Sequence, residues 1–167
     1  ILNIYKNKED QIPRILQMIH KTNQFNLTTI RFGNAELKSF FTNNKYIIYS
    51  FGLKDKFGDY GITGLCIIKK IKKNSAEIVT LIMSCRVIGR NIEFAFLNHI
   101  IHELKLINIK KIKAKYIKSN KNTQVENFYE KFSFEILKNS EFQKVYYLYT
   151  NNYKSINKDY ININYEE

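Results

Sequence analysis

The stretch SCRVIGRNIEFAF, residues 84–96, joins a strand-like apolar run to a predicted helix and holds residue types that bind a diphosphate. Gly89 lies in the predicted turn, with Arg86 and Arg90 on either side of it and Asn91 directly before the helix. The first turn of a helix has unpaired N–H groups and the positive end of the helix dipole, which attract anions. Glycine lets the backbone approach an anion closely, and arginine adds charge-assisted hydrogen bonds. Without further context, the spacing is more typical of a packing or capping turn than of an anion site.

Other residues are candidates by type alone. Cys85 lies beside Arg86, which would favour a thiolate if the side chain were exposed. The surrounding apolar run instead predicts a buried, inert thiol, and we expect both Cys66 and Cys85 to be reduced. No residues have metal-ligand spacing, so we expect no metal site. Side chains that could serve as a general base, none of them singled out by its context, are Glu77, Glu93, His99 and His102.

Hydrophobic periodicity predicts an α+β framework around these residues. Apolar residues recur at helical spacing from Ile12 to Ile19, over residues 35–41 and from Ile92 to Leu104. A fourth helix is expected from Asn122 to Lys131. Three strand-like runs without an intervening helix indicate an antiparallel meander, and a β-helix-β connection follows it. The predicted strands are LNIYK, KYIIYSFGL, YGITGLCIIKKI, AEIVTLIMSCRV, KIKAKYIK, FEILK and KVYYLYT.

Length and composition bound the domain organisation and the location. The 167 residues, 44% of them hydrophobic, are enough for one core and predict a single domain. Residues 1–150 hold the complete pattern of elements, and residues 151–167 form an extension that is predicted to be an edge strand or a flexible tail. No secretory signal or long apolar run is seen, so we expect a cytoplasmic protein without a membrane partner. The first residue is Ile rather than Met, which suggests a fragment or a processed product.

The net charge of +12 raises the question of a nucleic-acid partner, because clustered Lys and Arg neutralise phosphates. The basic residues are scattered along the chain. Their densest run, residues 110–118, alternates with apolar residues as one solvated face of a strand would. We therefore expect no nucleic-acid partner, and an acidic protein partner fits the charge equally well.

The order of elements and the turn at residues 86–91 resemble the GCN5-related N-acetyltransferase (GNAT) superfamily. Its coenzyme A pyrophosphate loop reads Arg or Gln, x, x, Gly, x, Gly or Ala, and Asn91 departs from the last position. The resemblance implies a GNAT-like, acyl-CoA N-acyltransferase fold, with a central mixed sheet of about six or seven strands flanked by about four helices. It also implies coenzyme A or acetyl-CoA as cofactor. The residues it assigns to cofactor binding in this turn are Arg86, Val87, Ile88, Gly89, Arg90 and Asn91.

A second stretch, KNTQVENFYEKFSF at residues 121–134, resembles the Asn-containing helix and the Tyr-bearing segment of the same family. Asn122 corresponds to the position that contacts the pantetheine arm of coenzyme A. Tyr129 corresponds to the general acid that protonates the departing thiolate, although it also fits the apolar side of a short helix. Ser133 replaces the glycine that is common in the family before the last phenylalanine.

Four stretches, KTNQFNLTT, DKFGDYGITG, SCRVIGRNIE and KNTQVENFYEKFSF, occur in this order in the carboxy-terminal GNAT-like domain of FkbH-like proteins. The chain resembles that domain over nearly its whole length. Such proteins carry an upstream haloacid-dehalogenase-like domain, associated with loading a glyceryl unit from bisphosphoglycerate onto an acyl carrier protein. The resemblance implies an acyltransferase that takes its acyl group from coenzyme A or from the phosphopantetheine of a carrier protein. A non-catalytic module that docks the acidic carrier protein is the alternative.

In this family frame, residues 21–29 form the loop between the first two helices, on the acceptor side of the cleft. Their amides and hydroxyls are expected to face a substrate or to fix the loop, and capping of the two helices explains them equally well. The predicted substrate-binding residues are Asn23, Gln24, Asn26 and Thr28.

Overall fold

The computed structural model describes residues 1–156 and 160–166, which form a mixed sheet of nine strands with helices on both faces. The helices are α1 (Ile12–Lys21), α2 (Asn34–Thr42) and α3 (Ile92–Leu106). The strands are β1 (Leu2–Lys6), β2 (Phe25–Asn26), β3 (Tyr46–Asp55), β4 (Gly58–Lys72), β5 (Ser75–Met83), β6 (Lys111–Ile117), β7 (Glu135–Asn139), β8 (Gln143–Tyr149) and β9 (Ile163–Glu166).

The α+β prediction is confirmed, and the strand order is β7-β8-β6-β5-β4-β3-β1-β9, with β2 paired to β5 outside this path. The sequence predicted six or seven strands. The two short strands β2 and β9 bring the number in the described residues to nine. β2 has only two residues, too few to give a periodic signal, whereas β9 is the edge strand that was one of the two alternatives for the C-terminal extension. The antiparallel meander β3-β4-β5 is confirmed by its pairing.

Both faces of the sheet are covered by helices. Successive side chains of a strand point to opposite faces, and apolar strand residues pack against helices on each of them. In β4, Leu65 and Ile67 pack with α1 and α2, whereas Cys66 and Ile68 belong to the cluster that includes α3. The basic run at residues 110–118 behaves as its alternation predicts, since Ile112, Ala114 and Tyr116 are buried there.

The strands β5 and β6 are the central parallel pair, and they separate after three paired residues. The pairing covers Ser75–Glu77 of β5 and residues 111–113 of β6. Further along, the segment Phe25–Leu27 lies between them: β2 pairs with the end of β5, and the Leu27 carbonyl accepts a hydrogen bond from the Ile117 N–H at 2.8 Å. The insert thus satisfies backbone groups that the separation would otherwise leave unpaired.

The prediction of a fourth helix over residues 122–131 is wrong. Two 3₁₀ helices, Thr123–Val125 and Tyr129–Phe132, take its place. Backbone bonds in this stretch span three residues rather than four, as from the Val125 N–H to the Asn122 carbonyl. The stretch NTQVEN holds β-branched and Asn residues of modest helix propensity, which makes a continuous α-helix less favourable.

The C-terminal segment contains an edge strand. Residues Ile163–Glu166 pair in parallel with β1, and the Leu2 N–H donates to the Asn162 carbonyl at 2.8 Å. The predicted domain boundary at residue 150 remains a prediction.

Candidate active site

A cavity of about 830 Å³, called the basic cavity below, opens where α1, the loop after it, the end of β5 and the loop after β6 meet. Among the described residues that line it there are four cations and no carboxylate. Its lining is Arg14, Gln17, Met18, Lys21, Thr22, Asn23, Gln24, Ser84, Cys85, Arg86, Asn120 and Lys121.

The predicted substrate loop divides into residues that face this cavity and residues that do not. Asn23 and Gln24 line it. Asn26 is fully buried, and its Oδ1 accepts a hydrogen bond from the Thr29 N–H at 2.8 Å. The buried Thr28 hydroxyl donates to the Val79 carbonyl at 3.2 Å. Asn26 and Thr28 therefore fix the loop, which is one of the two roles expected for its polar residues, and their role in substrate binding remains a prediction.

The turn before α3 has the geometry of an anion-binding loop. Gly89 and Asn91 have left-handed backbone conformations, with φ of 82° and 60°. The backbone N–H groups of Gly89, Arg90 and Asn91 have no hydrogen-bond acceptor within residues 1–156 and 160–166. Consecutive N–H groups without acceptors, in a turn that opens a helix of 15 residues, are of the kind that can bind an anion.

The side chains of this turn differ in availability. Arg86 is exposed and lies at the rim of the basic cavity, Val87 is buried and Ile88 is partly buried. The Arg90 guanidinium forms a salt bridge of 2.5 Å with Asp55, so its side chain is not free for a ligand.

The salt bridge with Arg90 ties the turn to the β3–β4 hairpin. Arg90 also donates to the Tyr60 hydroxyl at 3.1 Å. Although partial desolvation opposes it, hydrogen bonds from the Phe57 N–H and from Arg90 hold the pKa of Asp55 below its ordinary value. Asp55, at the end of β3, therefore helps to position the loop before α3.

Asn122 is fully buried, and its side-chain amide is occupied within the protein. In this arrangement Asn122 holds the inserted segment against the end of β6. The arrangement therefore does not support the prediction that Asn122 contacts the pantetheine arm. Its Nδ2 donates to the carbonyls of Asn26 (2.9 Å) and Ile117 (2.8 Å), and its Oδ1 accepts from the Ser119 N–H (2.8 Å) and the Tyr116 hydroxyl (3.1 Å).

Tyr129 lies in the core at 1% exposure, and its hydroxyl has no hydrogen-bond partner in the part of the chain that the structure describes. Burial, with a contribution from Cys66 and Tyr146, raises its pKa well above the usual value. The hydroxyl thus keeps its proton but does not line the basic cavity.

Solved structures share this architecture at low sequence identity. The ribosomal-protein-S18-alanine N-acetyltransferase from Escherichia coli matches with a TM-score of 0.70 and 12% identity, over 97% of this chain and 99% of that one. An N-acetyltransferase from Staphylococcus aureus Mu50 matches with a TM-score of 0.68 and 11% identity, over 91% and 99%. A mutant of the spermidine N-acetyltransferase SpeG from Vibrio cholerae matches with a TM-score of 0.66 and 15% identity, over 90% of this chain and 94% of that one.

The chain has the fold of the GNAT acetyltransferases. No family model and no curated protein sequence matches it. The similarity to the solved structures confirms the predicted GNAT-like fold, whereas the resemblance to FkbH-like proteins remains a prediction.

Within this GNAT fold, the candidate general bases lie away from the basic cavity. Glu77 forms a salt bridge with Lys115 at 2.9 Å. His99 and His102 line a second cavity of about 370 Å³ between α3 and the C-terminal segment.

Cys85 differs from its prediction, since it is exposed and lines the basic cavity. The strand β5 ends at Met83, and the apolar run that suggested a longer strand continues into the 3₁₀ helix Cys85–Val87, where Val87 is the buried residue. Cys66 is buried, which raises the pKa of its thiol.

Several residues of the basic cavity were not predicted from the sequence, namely those on α1 and in the loop after β6. Arg14, Gln17, Met18 and Lys21 occupy positions i, i+3, i+4 and i+7, which places them on one side of α1. That spacing was a usable signal, but nothing in it told this face from an ordinary solvated one.

No described helix has the length and apolar character needed to cross a membrane. Across the described ranges, no group of three or more His, Cys, Asp or Glu is placed to bind a metal ion.

Proposed function

We propose that this chain is an acyltransferase that binds coenzyme A, or an acyl-phosphopantetheine thioester, at the turn before α3. The observation that supports this is the set of free N–H groups at Gly89, Arg90 and Asn91 at the start of α3. With the exposed Arg86 guanidinium beside them, these donors fit a diphosphate.

Bound coenzyme A would supply an activated thioester. The chain's own contribution is to bind the diphosphate, to orient the thioester toward the basic cavity and to exclude water. Tyr129 is the general acid in this proposal: its hydroxyl carries a proton, and because it is buried away from the basic cavity the role requires that the surrounding side chains move. The proposal extends to an FkbH-like system in the cytoplasm, with an acyl carrier protein and a haloacid-dehalogenase-like domain as partners.

Calorimetric titration with coenzyme A, acetyl-CoA and a phosphopantetheinylated carrier protein tests this. We expect coenzyme A binding that weakens about 10- to 100-fold in Arg86→Ala, since a charge-assisted contact contributes about 1.5–3 kcal/mol. Gly89→Ala should weaken binding too, because φ is 82° there. Gly33→Ala is the matched control, because Gly33 has a negative φ and an added Cβ would meet no atom within 4 Å. Coenzyme A binding that neither Arg86→Ala nor Gly89→Ala weakens relative to the Gly33→Ala control would contradict the proposal.

A second function is favoured by two observations: the Tyr129 hydroxyl is buried, and the Asn122 amide is fully hydrogen-bonded, so neither is available to a thioester in this conformation. In this alternative the chain docks an acidic acyl carrier protein without catalysis. The net charge of +12 favours such a partner. Carrier affinity should then fall steeply with salt while coenzyme A does not bind. Carrier binding that salt does not change would count against it.

A further inference from the structure

The charges of the basic cavity have no counterions in the part of the chain that the structure describes. Arg14, Lys21, Arg86 and Lys121 line it, and none of them forms a salt bridge with any residue in 1–156 or 160–166. Other lysines of this chain do pair, as Lys115 does with Glu77 at 2.9 Å. Because like charges around one cavity repel each other, the arrangement favours a bound anion.

The position of these cations is partly fixed by neutral groups. The Arg14 Nε donates to the Ile62 carbonyl at 3.1 Å, and Arg14 also donates to the Gln17 side chain. Arg31 donates to Asn23 Oδ1 at 2.6 Å, which orients that amide at the cavity. Arg14 and the Asn23 amide are thus held by bonds that do not neutralise the charge of the cavity, and such a site is suited to carboxylate or phosphate oxygens.

The size of the cavity fits a small molecule. A volume of about 830 Å³ lies in the range of about 300–1,000 Å³ that is usual for small-ligand pockets. Met18 supplies an apolar surface among the polar residues, so a ligand with a short carbon skeleton and anionic ends would contact both. A polyamine would meet four like charges here.

We propose that the basic cavity is an acceptor site that selects a small molecule bearing carboxylate or phosphate groups; its role as acceptor site rests on the acyltransferase function proposed above. Anion binding itself requires only the basic cavity, so anion binding and the acyltransferase function are tested separately.

The exposed Cys85 thiol reports on this cavity, because Cys66 is fully buried. The reaction rate of Cys85 is measured with the dianionic reagent dithiobis(nitrobenzoate) and with the neutral reagent dithiodipyridine. We expect the ratio of the two rates to fall about tenfold in Lys21→Gln/Arg86→Gln, since a field of fixed cations concentrates the anionic reagent. The matched control Lys72→Gln/Lys73→Gln removes the same charge at the exposed β4–β5 turn and should leave the ratio unchanged.

Ligand protection is then measured with the neutral reagent at constant ionic strength. Tricarballylate and phosphoglycolate, as probes of the two anion chemistries, should slow the reaction of Cys85, whereas the triamide of tricarballylate and spermidine should not. The protection should be lost in Lys21→Gln/Arg86→Gln and kept in the lysine control.

Each outcome decides between the proposals. Anion protection without coenzyme A binding supports the anion site and overturns its acceptor role. Coenzyme A binding without anion protection leaves the acyltransferase proposal in place and overturns this inference. Protection by an acidic carrier protein alone also overturns it, in favour of a macromolecular partner. If the ratio of the dianionic to the neutral reagent rate is the same in both double variants, the attraction of the anionic reagent comes from the overall charge of the protein rather than from the basic cavity, which also overturns the inference.

Discussion

Asn122 shows how a residue with a predicted ligand-binding role can be committed to the fold. Its amide joins three segments: the insert at Asn26, the end of β6 at Ile117 and the following loop at Ser119. A buried amide that uses both its donors and its acceptor leaves several polar groups without partners when it is removed.

We therefore expect Asn122→Ala to lower the free energy of unfolding by about 3 kcal/mol. Asn120→Ala is the matched control, because Asn120 is exposed two residues earlier, and it should change stability by less than about 0.5 kcal/mol. Urea denaturation of both variants measures the difference. A loss as small as that of the control would show that the Asn122 bonds are replaced by water at no cost.

Tyr129 and Tyr146 form a second matched pair. The Tyr129 hydroxyl is buried without a partner among the described residues, whereas the Tyr146 hydroxyl donates to Glu130 at 3.0 Å. Tyr129→Phe should therefore leave stability unchanged or raise it by about 1 kcal/mol, and Tyr146→Phe should lower it by about 1 kcal/mol. If Tyr129 also acts as the acid, its variant combines retained stability with a large loss of acyl transfer. Urea denaturation measures the stability of both variants. A lower stability of Tyr129→Phe would indicate that the Tyr129 hydroxyl makes a hydrogen bond that the structure does not contain.

His99 makes stability depend on pH. Burial lowers its pKa from the ordinary 6.5, with Glu103 opposing the shift and His102 adding to it. The rings of Tyr49 and Tyr165 pack against it. Because the folded state binds the proton less well than the unfolded state, the neutral ring's contribution is complete above pH 6.5 and is lost as the pH falls below it.

We expect the free energy of unfolding to decrease below pH 6.5, and His99→Gln to remove part of that decrease. His20→Gln, at an exposed position of α1, should leave the pH profile as it is. Denaturant curves across this pH range measure both. An unchanged slope in His99→Gln would assign the pH dependence to other groups.

At the level of elements, the insert Phe25–Leu27 is the distinctive feature of the sheet. The Leu27 N–H donates to the Leu81 carbonyl at 3.2 Å, so one short segment bridges β5 and β6. These amides should exchange with solvent as slowly as those of the neighbouring strands. In Asn122→Ala, protection should fall at Leu27 and Ile117 before it falls in β4. Hydrogen exchange by NMR measures this, and uniform protection loss would mean that the insert opens only with the whole sheet.

The sequence predicted the elements that have strong periodicity and missed those set by distant contacts. The meander and the three α-helices follow from alternation and helical spacing within one segment. The hydrogen bond from Asn122 to Asn26 spans 96 positions, so no local pattern reveals it. The same reason applies to the basic cavity, whose Arg14 and Lys121 come from segments that only the folded sheet brings together.

At the scale of the whole molecule, the C-terminal segment determines where the folding unit ends. Its strand β9 pairs with β1, Tyr165 donates to Glu103 at 3.0 Å, and the Asn91 amide donates to the Tyr160 hydroxyl at 2.7 Å. These contacts reach the sheet edge, helix α3 and the turn proposed to bind the diphosphate. The described part of the C-terminal extension is thus integrated with the rest of the structure rather than appended to it.

Truncation after Ile156 tests this integration. It removes β9 and exposes the hydrogen-bonding edge of β1, whose Leu2 and Ile4 are fully buried. We expect a loss of about 2–4 kcal/mol in the free energy of unfolding, because a strand, its buried contacts and its ladder bonds are lost together, and an increased tendency to aggregate through the free edge. Urea denaturation and light scattering measure the two effects. Glu166→Gln in the full chain is the control that alters the segment without removing the strand. Full stability and unchanged coenzyme A affinity in the truncated chain would instead place the functional unit within residues 1–156.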